Sequence, residues 1–240
     1  MNNLPFFVAF GDVHNDISKV DAIAELCQAA GIIVSGDLTF AGGTRDALRV
    51  LEPLAGRVPR LLAQIGNMDR AEVDAVLEEK GWNLHRKAQR LFPGVYALGL
   101  GASPPTPFQT PSEYPEEVMA EWLAEALAEA KDLFAAEKGD TALGKDAPAL
   151  VLVSHTPPYA TVCDRLTSGA AAGSRVVRAF IEKYEPCICV CGHIHEARAE
   201  DRLGRTHIVN PGPLSGGGYV LIYPDSECGA RAELKGPMFV

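Results

Sequence analysis

In this chain of 240 residues, the side chains able to do chemistry fall at seven positions. Asp12 and His14, then Asp37, Asn67 and His155, then His193 and His195 each stand just beyond a short apolar run, at residues 6–10, 32–34, 61–65, 150–153 and 188–191. Three of them offer carboxylate or amide oxygens and four offer imidazole nitrogens. In extended backbone, residues two apart point the same way, so Asp12 with His14, and His193 with His195, can each address one cavity. A mixed oxygen and imidazole set suits Mn, Fe, Zn, Co or Ni, and the lack of thiolates argues against a structural zinc site. Seven donors exceed what one catalytic zinc with an open position can use; they suit two ions sharing a carboxylate. Each signal alone is weak. Their order at successive run ends is what carries weight.

The elements that must position these residues follow from the same pattern. Runs of three to five apolar residues ending in Gly, Asp, Asn or His read as strands buried on both faces. Between them lie helical patterns over residues 17–30, 44–54, 71–80, 115–138 and 174–184. Gly31, Gly81 and Gly139 read as stops, Thr44 and Ser174 as caps, and Pro115 as the opening of the longest helix. After Arg205 the texture changes to strands and turns at 207–209, 219–223 and near 238–240. Alternating strands and helices predict an α/β fold with a mostly parallel sheet, and strand-end donors converge at one edge of such a sheet. Residues 103–115 hold five prolines, yet the strand pattern resumes at 150. The chain therefore reads as one domain over 1–240 with an excursion at about 103–147.

Composition narrows the function classes. With 22 Lys and Arg against 31 Asp and Glu, the net charge is −9, which argues against broad coating of nucleic acid or adhesion to an anionic membrane. No apolar run reaches bilayer-spanning length. The opening residues lack a basic segment, and six cysteines are too sparse for a disulfide framework, so a cytoplasmic protein with reduced thiols is expected.

Gly11-Asp12-Val13-His14, Gly36-Asp37, Gly66-Asn67-Met68-Asp69, His155 and Gly192-His193-Ile194-His195 resemble, in order, the five blocks of the calcineurin-like metallophosphoesterase superfamily. The stretches 103–108 and 155–158 further resemble a small prokaryotic, phosphodiesterase-like branch. The resemblance implies a four-layer α/β/β/α sandwich and two divalent ions, Mn foremost. Asp12, His14, Asp37 and His195 would hold one ion, and Asp37, Asn67, His155 and His193 the other, with Asp37 bridging. It implies hydrolysis of a phosphodiester by a metal-bridging hydroxide, with Asp37, Asn67 and His155 also the catalytic residues. Phosphomonoesterase and nuclease activities are the alternatives, and a non-catalytic metal-binding scaffold for protein docking is the rival from another class. Met68 departs from the family, where a histidine often follows the asparagine. A thioether can neither stabilise a phosphoryl group nor protonate a leaving oxygen.

The remaining polar residues have plainer readings. Asp69 reads as a cap for the helix near Ala71. Cys187, Cys189 and Cys191 read as small buried hydrophobes. His85 and His207 read as core-edge or surface residues, with His207 a replacement for the missing imidazole if it faces the metals. Arg45, Arg70 and Arg165 follow ligand-bearing turns and are candidates to clamp a phosphate.

Overall fold

The computed structural model describes residues 4–137 and 147–237, in two mixed sheets flanked by helices. Eleven strands run in chain order: β1 (Phe7–Phe10), β2 (Gly31–Val34), β3 (Leu61–Ala63), β4 (Ala88–Phe92), β5 (Val95–Leu100), β6 (Ala149–Ser154), β7 (Ile188–Val190), β8 (Ala199–Leu203), β9 (Thr206–Asn210), β10 (Tyr219–Asp225) and β11 (Gly229–Lys235). The first sheet has the order β11-β10-β1-β2-β3 and the second β4-β5-β6-β7-β9-β8. Parallel pairing joins β1, β2 and β3 in one sheet and β5, β6, β7 and β9 in the other, while the outer partners pair antiparallel.

Strand alternation explains the layers. Phe7 and Ala9, Ile33, Leu62, Ala97, Val151, Val153, Ile188, Val190, Val220 and Ile222 form a core to which, among the described residues, no helix contributes. These are the faces the two sheets turn toward each other. Their strand neighbours Val8, Phe10, Ile32, Val34, Leu98, Leu152 and Cys189 instead join the core built with the helices. Four helices supply those outer layers: α1 (Thr44–Ala55), α2 (Ala71–Glu79), α3 (Glu116–Ala136) and α4 (Arg175–Tyr184). Both faces of each sheet are covered, which is why the central strands are apolar throughout rather than alternating. The cysteines at 189 and 191 are buried in the helix-side core, as expected of small hydrophobes.

Several local expectations need correction. Residues 17–30 form two short 3₁₀ turns, Val20–Ala22 and Leu26–Gln28, instead of one helix. The buried residues there are Val20, Ile23, Leu26 and Ala29, recurring every three positions, and Ala24 and Cys27 are exposed. A spacing of three matches the tighter turn. Thr44 is the first helical residue of α1 rather than its cap, and its N–H is met by Glu72 Oε1 of α2 at 3.2 Å. Ser174 does cap α4, accepting from the Val177 N–H at 3.1 Å. Sequence patterning missed β4, β5, β8 and β11. The stop assigned to Gly139 and the strand near 238–240 lie outside the described residues.

Candidate metal centre

The carboxyl ends of β1, β2, β3, β6 and β7 meet at one place, and the turns that leave them interlock. After β1, the N–H groups of Val13 and His14 both donate to the carbonyl of Asp37, at 2.8 and 2.9 Å. After β7, the Gly192 N–H donates to the carbonyl of His155 and the His193 N–H reaches both carboxylate oxygens of Asp12 at 3.1 Å. The buried Gln64 ties the two sheets beneath the site, its Nε2 lying 3.2 Å from the carbonyl oxygens of Ser35, Leu100 and Val153. Backbone is bent sharply here. Asp12, His14, Asp37 and His193 have φ of 50, 46, 50 and 65°, in the left-handed region. Non-glycine residues hold such φ values at a cost of roughly 1–3 kcal/mol each, a strain that persists where surrounding structure dictates it. Gly66 and Gly192 permit close approach to the carboxylates: a Cβ on Gly66 would fall 2.1 Å from Asp37 Oδ1, and one on Gly192 2.4 Å from Asp12 Oδ2.

All seven donors proposed from sequence come together. Asp12, His14, Asp37 and His195 each bring one ligand atom within 4.8 Å of the others, a group able to hold a metal ion. His14 Nε2 lies 3.2 Å from His195 Nε2 and 3.7 Å from Asp37 Oδ2, and His195 Nε2 lies 3.4 Å from Asp12 Oδ1. On the other side of Asp37, His155 Nε2 lies 3.4 Å from Oδ1. Asn67 Oδ1 sits 2.9 Å from His155 Nε2 and 2.7 Å from His193 Nδ1. The two oxygens of Asp37 thus face two different donor sets.

The charge of the pocket fits cations. Asp12, Asp37 and Asp69 are at most 2% exposed, and among the described residues no Lys or Arg pairs with any of them. Buried carboxylates require a compensating charge. Burial opposes ionisation of both Asp37 and His155, yet their attraction overrides it and holds the Asp37 carboxyl down and the His155 imidazole up. His193 is pushed down to about 4, by burial first and then by His155, which leaves it a neutral donor. His195 is raised, chiefly by its bond to Asp12. Buried Nδ1 atoms of His14 and His155 have no hydrogen-bond partner among the described residues. A divalent cation in each donor set would replace these makeshift contacts among like groups with ligand bonds.

Asp69 corrects the sequence reading. Arg70 takes the cap position of α2 without a side-chain bond, and Asp69 turns inward. Its Oδ1 accepts from the N–H and hydroxyl of Thr39, both at 2.8 Å, and its Oδ2 accepts from the N–H groups of Leu38 at 3.0 Å and Gly66 at 2.8 Å. It joins the turn after β2 to the turn after β3. Burial and the neighbouring Asp37 push its carboxyl up to about 6, against the pull of those donors. Met68 is half-buried, and its N–H donates to Asp37 Oδ1 at 2.8 Å.

The proline-rich loop after β5 lies against the site and supplies Thr110 beside Asn67 and Ser112 beneath it. His207 does not replace the missing imidazole: it pairs with Glu200 at 2.7 Å, and β9 places it level with Ile188, at the far end of β7 from His193. His85 is buried, accepts from the Gly101 N–H and is pushed down to about 3, by burial first and then by Arg86. Arg45 and Arg70 are exposed beside the site's turns, whereas Arg165 is tied to its own loop through the Gly169 carbonyl.

Comparison with known proteins agrees with this architecture. A solved protein of Thermus thermophilus aligns over 98% of this chain and 99% of its own with a TM-score of 0.67 at 20% identity. A dimetal phosphatase of Danio rerio aligns over 98% and 96% with a TM-score of 0.59 at 12% identity. An uncharacterized protein of Methanocaldococcus jannaschii is 33% identical over 213 residues, 87% of this chain and 88% of that one. The model of the calcineurin-like phosphoesterase superfamily domain matches residues 6–221, from the approach to β1 into β10 and across every turn that carries a candidate ligand. The chain belongs to the calcineurin-like phosphoesterase superfamily.

Proposed function

We propose that this phosphoesterase is a dimetal phosphodiesterase, with Asp12, His14, Asp37 and His195 holding one ion and Asp37, Asn67, His155 and His193 the other. The observation that carries this reading is the position of Asp37, whose Oδ2 faces His14 and whose Oδ1 faces His155. When bound, such a pair supplies Lewis acidity toward a phosphoryl oxygen and acidifies a water. The protein's part is to hold the donors rigidly. Asp37 is fixed by the Met68 N–H on Oδ1 and by its own carbonyl, which receives the β1 turn. Asp12 is fixed by the His193 N–H. No nucleophilic side chain is required of the site.

Met68 bears on the leaving group. With a thioether where many relatives carry an imidazole, the position gives no proton to a departing oxygen. Esters whose leaving group departs without an acid are favoured. Metal-stripped protein reconstituted with Mn, Co, Ni or Zn is expected to hydrolyse bis(p-nitrophenyl) phosphate faster than p-nitrophenyl phosphate. Faster monoester turnover would overturn the preference. Absence of any turnover with all four metals would overturn the catalytic reading and favour a metal-binding scaffold.

A further inference from the structure

An amide ligates a cation only through its oxygen, so the orientation of Asn67 matters as much as its position. Asn67 Nδ2 donates to Thr110 Oγ1 at 2.9 Å. The one proton of the Thr110 hydroxyl goes to Glu113 Oε1 at 2.6 Å. The Glu113 carboxylate, acceptor only, also receives the Thr106 hydroxyl at Oε1 and the N–H groups of Thr106 at 2.9 Å and Thr110 at 2.8 Å. Thr110 therefore has only lone pairs left to offer Asn67, and the amide must turn its NH₂ there. Its oxygen then faces His155 and His193. The loop that carries Thr110 is itself fastened to the asparagine turn: the Ser112 N–H donates to the Asn67 carbonyl at 2.9 Å and the Ser112 hydroxyl to the Asp69 carbonyl at 2.6 Å.

We infer that Thr110 and Glu113 are positioning residues that fix the polarity of the Asn67 amide, so that its oxygen and never its NH₂ meets the second cation. This rests on reading Asn67 as a ligand of that cation. In their absence a flipped amide would aim two N–H groups at the place a cation must occupy.

The test is Mn binding to metal-stripped protein, by calorimetry with ions counted per chain. Thr110→Val, nearly isosteric, is expected to weaken the second binding step roughly 10–100-fold, the usual effect of losing a ligand's orienting partner, and to leave the first step unchanged. Thr110→Ser should restore it. In an Asn67→Ala background Thr110→Val should add nothing. Glu113→Gln, whose amide can return a proton to Thr110, should weaken the same step while the circular dichroism spectrum stays that of the parent, so the inference does not depend on one variant folding. Unchanged second-step affinity in both Thr110→Val and Glu113→Gln, with Asn67→Ala weakened, overturns the positioning role and leaves the ligand reading intact. An Asn67→Ala protein that binds two ions as tightly as the parent overturns the ligand reading itself.

Discussion

Asp69 offers the sharpest test of how this site is built, because its two readings differ in magnitude. As a helix cap it would contribute about 1 kcal/mol, and Asp69→Asn would cost almost nothing, since asparagine and aspartate cap equally well. The structure instead shows a fully buried carboxylate that accepts three backbone N–H groups, from Leu38, Thr39 and Gly66, and one hydroxyl. A buried donor stripped of its acceptor costs roughly 1–3 kcal/mol, so Asp69→Ala should lose about 3–6 kcal/mol once some relaxation and water entry are allowed. In Asp69→Asn one amide atom becomes a donor. With the oxygen kept at Oδ1 for Thr39, the NH₂ faces the N–H groups of Leu38 and Gly66, and two buried donors lose their acceptor at a cost of roughly 2–4 kcal/mol. The assay is urea unfolding at pH 7 with saturating Mn, which quenches the repulsion between Asp69 and Asp37 and so keeps relief of that repulsion from masking the loss. An Asp69→Asn unfolding free energy within about 0.5 kcal/mol of the parent, the range of an ordinary surface change, would refute the bracing role.

Gly66→Ala sets a Cβ 2.1 Å from Asp37 Oδ1. The displaced carboxylate should cut diester turnover on the order of 100-fold with the circular dichroism spectrum retained, as expected when a reacting group is misplaced by about 1 Å. Mn at about 100 times its dissociation constant should stabilise the parent by roughly 2.7 kcal/mol in thermal unfolding, and Asp37→Ala should abolish most of that gain. For Glu113, burial pushes the carboxyl up, but the hydroxyls and N–H groups of Thr106 and Thr110 more than reverse it and hold it down at about 2. Because its folded pKa is depressed, its contribution is fully present above the unfolded value near 4.5 and is lost as the pH falls toward 2. The stability gap between parent and Glu113→Gln, read from urea midpoints, should close across that window and stay constant above it.

The parts of this protein legible in its sequence are those written locally. β1, β2, β3, β6 and β7 announce themselves as apolar runs, and each ends in a donor that chemistry can recognise. β5 is as apolar as any of them, with all six residues buried, but it ends in Gly101 and Ala102, and nothing there marks it as part of a site. β8 and β11 lie at sheet edges with charged residues such as Glu200, Asp201, Arg231 and Glu233. β8 shows no apolar alternation, whereas β11 alternates Ala230, Ala232 and Leu234 with Arg231, Glu233 and Lys235, a strand pattern whose small alanines make a weak apolar signal.

The bracing of the candidate ligands was hidden for a different physical reason. Thr110 and Asn67 are 43 residues apart, and Asp69 meets Thr39 across 30. A threonine in a proline-rich loop, or an aspartate one residue before a helix cap, has a sufficient local explanation in turn or capping propensity, and local reasoning stops there. The long-range partner is decided by strand order. β5 lies beside β6 in the second sheet, so its loop emerges next to His155, while β2 and β3 of the first sheet deliver Asp37 and Asn67 from the other side. Only when both sheets are stacked do the amide of Asn67 and the hydroxyl of Thr110 become neighbours. The types of the candidate ligands are thus a property of turns, whereas their orientation is a property of the stacked pair of sheets. It follows that a substitution in the loop after β5 should alter cation binding without touching a single ligand.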